Sequence, residues 1–121
     1  MIKTVVFAWL SLLIIAGPLN GADRLVMRVS PAVAMAPAWV TVQTTVEADT
    51  ENRALEIIVE SNDFYRSSMI QLNGQHSPRV RLFQFPNLPV GQYQVTGIVA
   101  GSAGRRATAT SWLVVSGRPA R

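Results

Sequence analysis

From residue 25 onward the apolar residues of this chain fall at alternate positions, in runs of five to nine residues separated by turn-forming residues. No window of a dozen residues in that stretch sustains a helical period. A period of two puts every second side chain on one face of a strand, and that face has to be buried against a second sheet. Seven runs of this kind are read at residues 25–29, 39–47, 54–60, 68–72, 79–85, 92–100 and 107–115. In the second, Val40, Val42, Thr44 and Val46 share one face, while Thr41, Gln43, Thr45 and Glu47 share the other. In the third, Leu55, Ile57 and Val59 face inward and Glu56 and Glu60 outward; Tyr93, Val95 and Val99 line the inner face of the sixth. With turn signals every 8–12 residues or so, the spacing predicts an all-β, seven-stranded antiparallel sandwich.

The connections follow from composition. The Ala/Pro-rich stretch 32–38 reads as a loose edge or a sheet-switching link, residues 48–53 as an exposed polar loop, Asn73-Gly74 as a tight turn, and residues 101–104 as a hairpin turn. Ahead of the sandwich, Lys3 precedes a nearly continuous apolar run over residues 5–16, then Pro18 and the small residues Gly21 and Ala22. This is the layout of a signal peptide helix cleaved after Ala22. The run is about a dozen residues, short of the ~20 that span a bilayer, so no stable membrane span is expected after cleavage. The predicted layout is a signal peptide at 1–22, one domain at 23–116 and a flexible tail at 117–121, exported to the periplasm or the medium.

Cysteine is absent, which excludes disulfides and a lipid-bearing cysteine anchor. The 99 residues from Asp23 to Arg121 carry ten arginines, no lysine and seven acids. That length suits one sandwich core without staples.

The segment Phe85-Pro86-Asn87-Leu88-Pro89-Val90-Gly91-Gln92-Tyr93-Gln94-Val95 resembles the E-to-F corner of immunoglobulin-like and fibronectin type III-like domains. The resemblance implies that Leu88 plugs the end of the core, that Gly91 permits a close approach, and that Tyr93 buries its ring while its hydroxyl bonds backbone a few residues upstream. It also implies that the strand pair around the Gly-rich turn at 101–104 is the F–G hairpin. The antibody-type cysteine pair and the third-strand tryptophan are missing, and Leu55, Ile57 and Val59 stand in that tryptophan's place. The group resembled is therefore that of bacterial immunoglobulin-like modules. Transthyretin-like and carboxypeptidase-regulatory-like sandwiches share a Leu-Pro-x-Gly-x-Tyr corner, which leaves the strand topology open.

Catalytic chemistry has little to work with. His76 is the single histidine, no Gly-x-Ser-x-Gly elbow occurs, and one histidine without cysteine excludes an ordinary structural zinc or cupredoxin copper site. Glu56 and Glu60, four positions apart on one strand, stand about 13 Å from each other, too far for a glycosidase pair at roughly 5–9.5 Å. Asp49, Glu51 and Asn52, joined by Asp63, offer oxygen ligands for calcium. Their spacing matches no EF-hand loop, and a solvated acidic loop is the plainer reading. No enzyme, cofactor or metal is expected.

Binding is the remaining class. Six of the seven acids lie within residues 47–63, and every charged residue from Arg66 onward is arginine. Such a dipolar surface could dock an acidic partner through Arg79, Arg81, Arg105 and Arg106. Alternatively, pairing of the third strand with the sixth mixes the two signs in space. Aromatics do not alternate with the arginines as a nucleic-acid surface requires. The expected partner is another envelope or secreted protein, met through Tyr65, Trp112 and the four arginines; a glycan held by Tyr65 and Trp112 is the alternative.

Overall fold

The computed structural model describes residues 24–117. The predicted signal peptide helix and the tail from residue 118 lie outside the described residues. Eight strands follow one another: β1 (Leu25–Ser30), β2 (Val33–Met35), β3 (Ala38–Val46), β4 (Asn52–Glu60), β5 (Tyr65–Gln71), β6 (Val80–Leu88), β7 (Gly91–Gly101) and β8 (Gly104–Ser116). One 3-10 turn, Gly74–His76, lies between β5 and β6. The strands form two sheets, ordered β1-β3-β6 and β2-β8-β7-β4-β5.

Alternation builds the core as the period of two requires. The inner face of β3 buries Val40, Val42, Thr44 and Val46 against Leu55, Ile57 and Val59 of β4, Tyr93, Val95 and Val99 of β7, and Leu113 and Val115 of β8. Phe83 and Phe85 from β6 and Leu25 from β1 complete it. Thr44, the polar member of that row, donates its Oγ1 hydroxyl to the Arg81 carbonyl at 3.2 Å, so burial leaves it satisfied.

The count of seven strands and the all-antiparallel pairing need correction. Within the Ala/Pro stretch, residues 33–35 form β2, which pairs parallel with β8 (Val33 against Val114, Met35 against Ser116). The link does switch sheets: Pro31 and Pro37 bracket three residues that leave β1's sheet for the opposite one. A parallel strand of three residues between prolines carries no alternation long enough to read. Asn73-Gly74 opens the 3-10 turn, with Gly74 at φ +56, because β5 and β6 belong to different sheets and the chain must cross between them.

One side of the sandwich leaves two edges open, those of β5 and β6. Both carry an arginine at an inward-facing position, Arg66 and Arg81, and β6 carries Pro86, which has no N–H to offer. Inward charges and edge prolines blunt strand edges against further pairing. Arg66 also ties the two edges together, its Nη1 donating to the Pro86 carbonyl at 2.8 Å while its guanidinium lies 5.1 Å from the centre of the Phe64 ring. Arg66→Ala is expected to cost about 2 kcal/mol in urea unfolding through loss of this charge-assisted bond and the ring contact. A loss below 0.5 kcal/mol or so would remove the clamp from the account.

At the end where β7 turns into β8, the register slips: Val99 opposes Ala107, but Ala100 opposes Arg105, leaving Arg106 as the bulged residue. The bulge lets Arg106 reach Asp49 at 2.8 Å, and the Ser102 hydroxyl donates to Glu51 Oε1 at 2.9 Å. β4 pairs with β7, so the acidic loop and an arginine of the turn meet and their signs mix at this end. The Glu51 carbonyl and the Arg106 stem lie so close over Gly101 that a Cβ there would stand 2.8 and 2.7 Å from them. Gly101→Ala is accordingly expected to destabilise by about 1–3 kcal/mol in thermal or urea melts, with the salt bridge displaced.

Candidate binding site

The opposite end of the sandwich is organised around Tyr93. Its ring is fully buried and its hydroxyl donates to the Pro89 carbonyl at 2.5 Å, bracing the turn between β6 and β7. Leu88 is buried beneath that turn, and Asn87 enters it at φ +61, a left-handed conformation that asparagine tolerates. Burial pushes the Tyr93 phenol above its ordinary value of 10.0, against the opposing pull of the Arg66 charge. A raised folded-state value contributes stability that is whole below pH 10 or so and disappears as pH climbs through the folded value. Alkaline titration of stability should therefore show a decline starting near pH 10 that Tyr93→Phe removes.

Phe64 packs edge-on against Tyr93, with ring centres 5.7 Å apart, and this contact pins the loop between β4 and β5. The loop is closed by Ser61 N–H donating to the Phe64 carbonyl at 2.8 Å. Asn62 and Asp63, at its tip, stay exposed. Gly91 brings β7 close beneath it: a Cβ there would stand 3.5 Å from the Tyr93 ring and 3.7 Å from Ser61. Between loop and sheet runs an open groove of about 400 Å³, lined by Ser61, Asn62, Asp63, Gly91 and Gln92 on one side and by Val90 and Trp112 on the other.

Trp112 stands on the outer face of β8, 63% exposed. Along the same face lie Val114, two residues on, and Val33, its register partner on β2, 70% exposed. Val90 and Met35 are exposed at the same corner. These five side chains present several hundred Å² of apolar surface, the range in which an exposed patch on a soluble domain marks a contact site. Across the sheet, register aligns Trp112 with Gln94, Glu60 and Tyr65 in one row. Three strand spacings separate the two aromatics, about 14 Å.

The residues expected from sequence to form a binding surface are thus divided. Tyr65 and Trp112 share one face. Arg105 and Arg106 lie at the far end of β8 from Trp112, about 20 Å along the strand, and Arg106 is held by Asp49. Arg79 and Arg81 belong to the start of β6 in the other sheet, and Arg81 faces inward with its Nε buried and lacking a partner. The calcium set is divided as well: Asp49, Glu51 and Asn52 precede β4 and Asp63 follows it, roughly 30 Å away along nine residues. Asn52 is buried and donates Nδ2 to the Glu47 carbonyl. His76 is exposed on the 3-10 turn, beside a shallow hollow with Arg53 and Thr50. Sequence reasoning missed Asn62, Asp63 and Gln92 as neighbours of Trp112, and nothing local in the sequence marks that contact.

No protein-family model matches the chain, and no curated protein matches it. Solved structures do share its fold. A superoxide reductase (neelaredoxin) from Ignicoccus hospitalis superposes with a TM-score of 0.62 at 10% identity, covering 78% of this chain and 81% of that one. A variant of the same protein gives 0.63 at 11% identity, covering 84% and 86%. At such identity the likeness is one of fold, an all-β sandwich. The residues here do not fit a redox metal centre built from imidazole and thiolate: the chain has His76 alone and no cysteine. Among the described residues, no three His, Cys, Asp or Glu side chains gather into a metal-holding group.

Proposed function

We propose that the chain is an exported, noncatalytic immunoglobulin-like module that works by protein–protein contact, as an accessory or structural subunit of an envelope assembly, and that it docks through the corner centred on Trp112. The observation that carries the reading is the exposed apolar cluster of Val33, Met35, Val90, Trp112 and Val114, bordered by the polar tips of Asn62, Asp63 and Gln92. An exposed tryptophan amid apolar neighbours with a polar rim has the composition of an interface hot spot. Export is supported by the Lys3-led apolar run ending in Gly21-Ala22. The noncatalytic reading rests on composition, one histidine and no cysteine.

Affinity capture from the solubilised envelope of the source cells tests this, with Val114→Glu as the control for the corner. One protein retained near stoichiometry by the natural chain and lost from the variant, at equal melting temperature, is the expected result. Equal retention by both would place the contact elsewhere. A second reading, a glycan- or envelope-polymer-binding module, is favoured by the alignment of Tyr65 and Trp112 in one row, with Glu60 and Gln94 between them to meet hydroxyl groups. Retention of polysaccharide without protein would select it.

A further inference from the structure

We infer that the groove beside Trp112 receives a cationic side chain, an arginine or lysine, presented by the protein partner; this deepens the protein-contact reading and rests on it. The argument starts from where the charges lie. Arg24, Arg53, Arg79, Arg81, Arg105 and Arg106 cluster toward the end of the sandwich that carries the β7–β8 turn, together with Glu47, Asp49 and Glu51. At the Trp112 end the described charges are Glu60, Asp63 and Arg66. Arg66 is turned inward onto Phe64 and the Pro86 carbonyl, leaving two carboxylates without an ion-pair partner among the described residues. In a chain of net charge +4, this end offers negative charge.

The groove adds the local chemistry. Asp63 lies along its wall, facing the exposed indole of Trp112. A carboxylate accepts hydrogen bonds only, and the side-chain oxygens of Asn62, Gln92 and Ser61 can accept further ones. Guanidinium and ammonium groups donate only, and they are held both by carboxylates and by the face of an indole. Val90 and Trp112 provide the apolar wall along which the methylene stem of arginine or lysine lies while its head reaches Asp63. Gly91, without a side chain, leaves the bottom of the groove open. An exposed aromatic next to an exposed carboxylate therefore selects a positive charge carried on an apolar stem.

The test is a ¹H–¹⁵N titration of the purified chain with a blocked peptide of alternating arginine and glycine, its citrulline counterpart, and an N-acetylglucosamine tetramer. The Trp112 indole resonance is assigned by its absence in Trp112→Phe. Expected are shifts at the indole, Asp63 and Gln92 with the arginine peptide, about tenfold weaker binding to Asp63→Asn, and weakening as salt rises. Equal binding of the citrulline peptide, or salt-independent binding of the sugar at the same resonances, overturns the inference. So does an arginine peptide without effect; if envelope capture in that case still fails for Val114→Glu, the protein-contact reading survives and the cationic ligand alone is rejected. Both fall if neither measurement depends on the corner.

Discussion

Tyr93→Ala is expected to lower the stability of the domain by about 3–5 kcal/mol, the range for removing a fully buried aromatic. Against a typical total of roughly 5–15 kcal/mol, that brings the fold near its limit. Three supports go at once. The ring fills the end of the core between Leu88 and Val95, it holds Phe64 edge-on, and its hydroxyl braces Pro89. Tyr93→Phe separates them: ring and Phe64 contact stay, the hydrogen bond goes, and the cost should fall to about 1 kcal/mol. Urea unfolding of the three chains measures both differences as midpoint shifts at constant slope. A loss below 1 kcal/mol or so for the alanine variant would mean that this end of the core collapses without penalty, and the account of how the groove is positioned would fail with it.

The second large effect concerns binding and leaves the fold alone. Trp112→Ala should change the melting temperature by no more than a degree or two, because the indole stands outside the core. Affinity for the captured partner should drop at least 30-fold or so, equivalent to the ~2 kcal/mol that defines a hot spot. Trp39 is the matched control: it is 61% exposed on the outer face of β3, in the other sheet. Trp39→Ala removes the same side chain from a surface outside the proposed corner, and its affinity should be unchanged. Equal losses in the two variants would point to a nonspecific attraction of tryptophan, and no loss in either would dismiss the corner.

The same comparison between elements explains what could be read in advance. The inner faces of β3 and β4 were legible residue by residue, since alternation is a local property of extended backbone and burial obeys it. Burial of Tyr93 with its hydroxyl on upstream backbone was also legible, because the turn from Leu88 to Gly91 lies within a few residues of the ring. β2 was not, being three residues long and stabilised by β8, some eighty positions away. The arginines grouped as one surface were misplaced for a related reason. Position along the chain says which face a residue takes on its own strand, while distance between Arg106 and Trp112, or between Asp49 and Asp63, depends on which way each strand runs.

By itself the sequence determined an all-β sandwich, the residues that fill it and the turn that Tyr93 closes, since these follow from period, turn chemistry and side-chain size acting over a few residues. The tertiary structure decided that Asp63 of one loop lies across a groove from Trp112 of the last strand, that Arg106 bulges out to Asp49, and that Arg66 turns inward. Each of these depends on strand order and register, which are settled by burying all the inner faces together, a balance of long-range contacts that no short stretch of sequence contains.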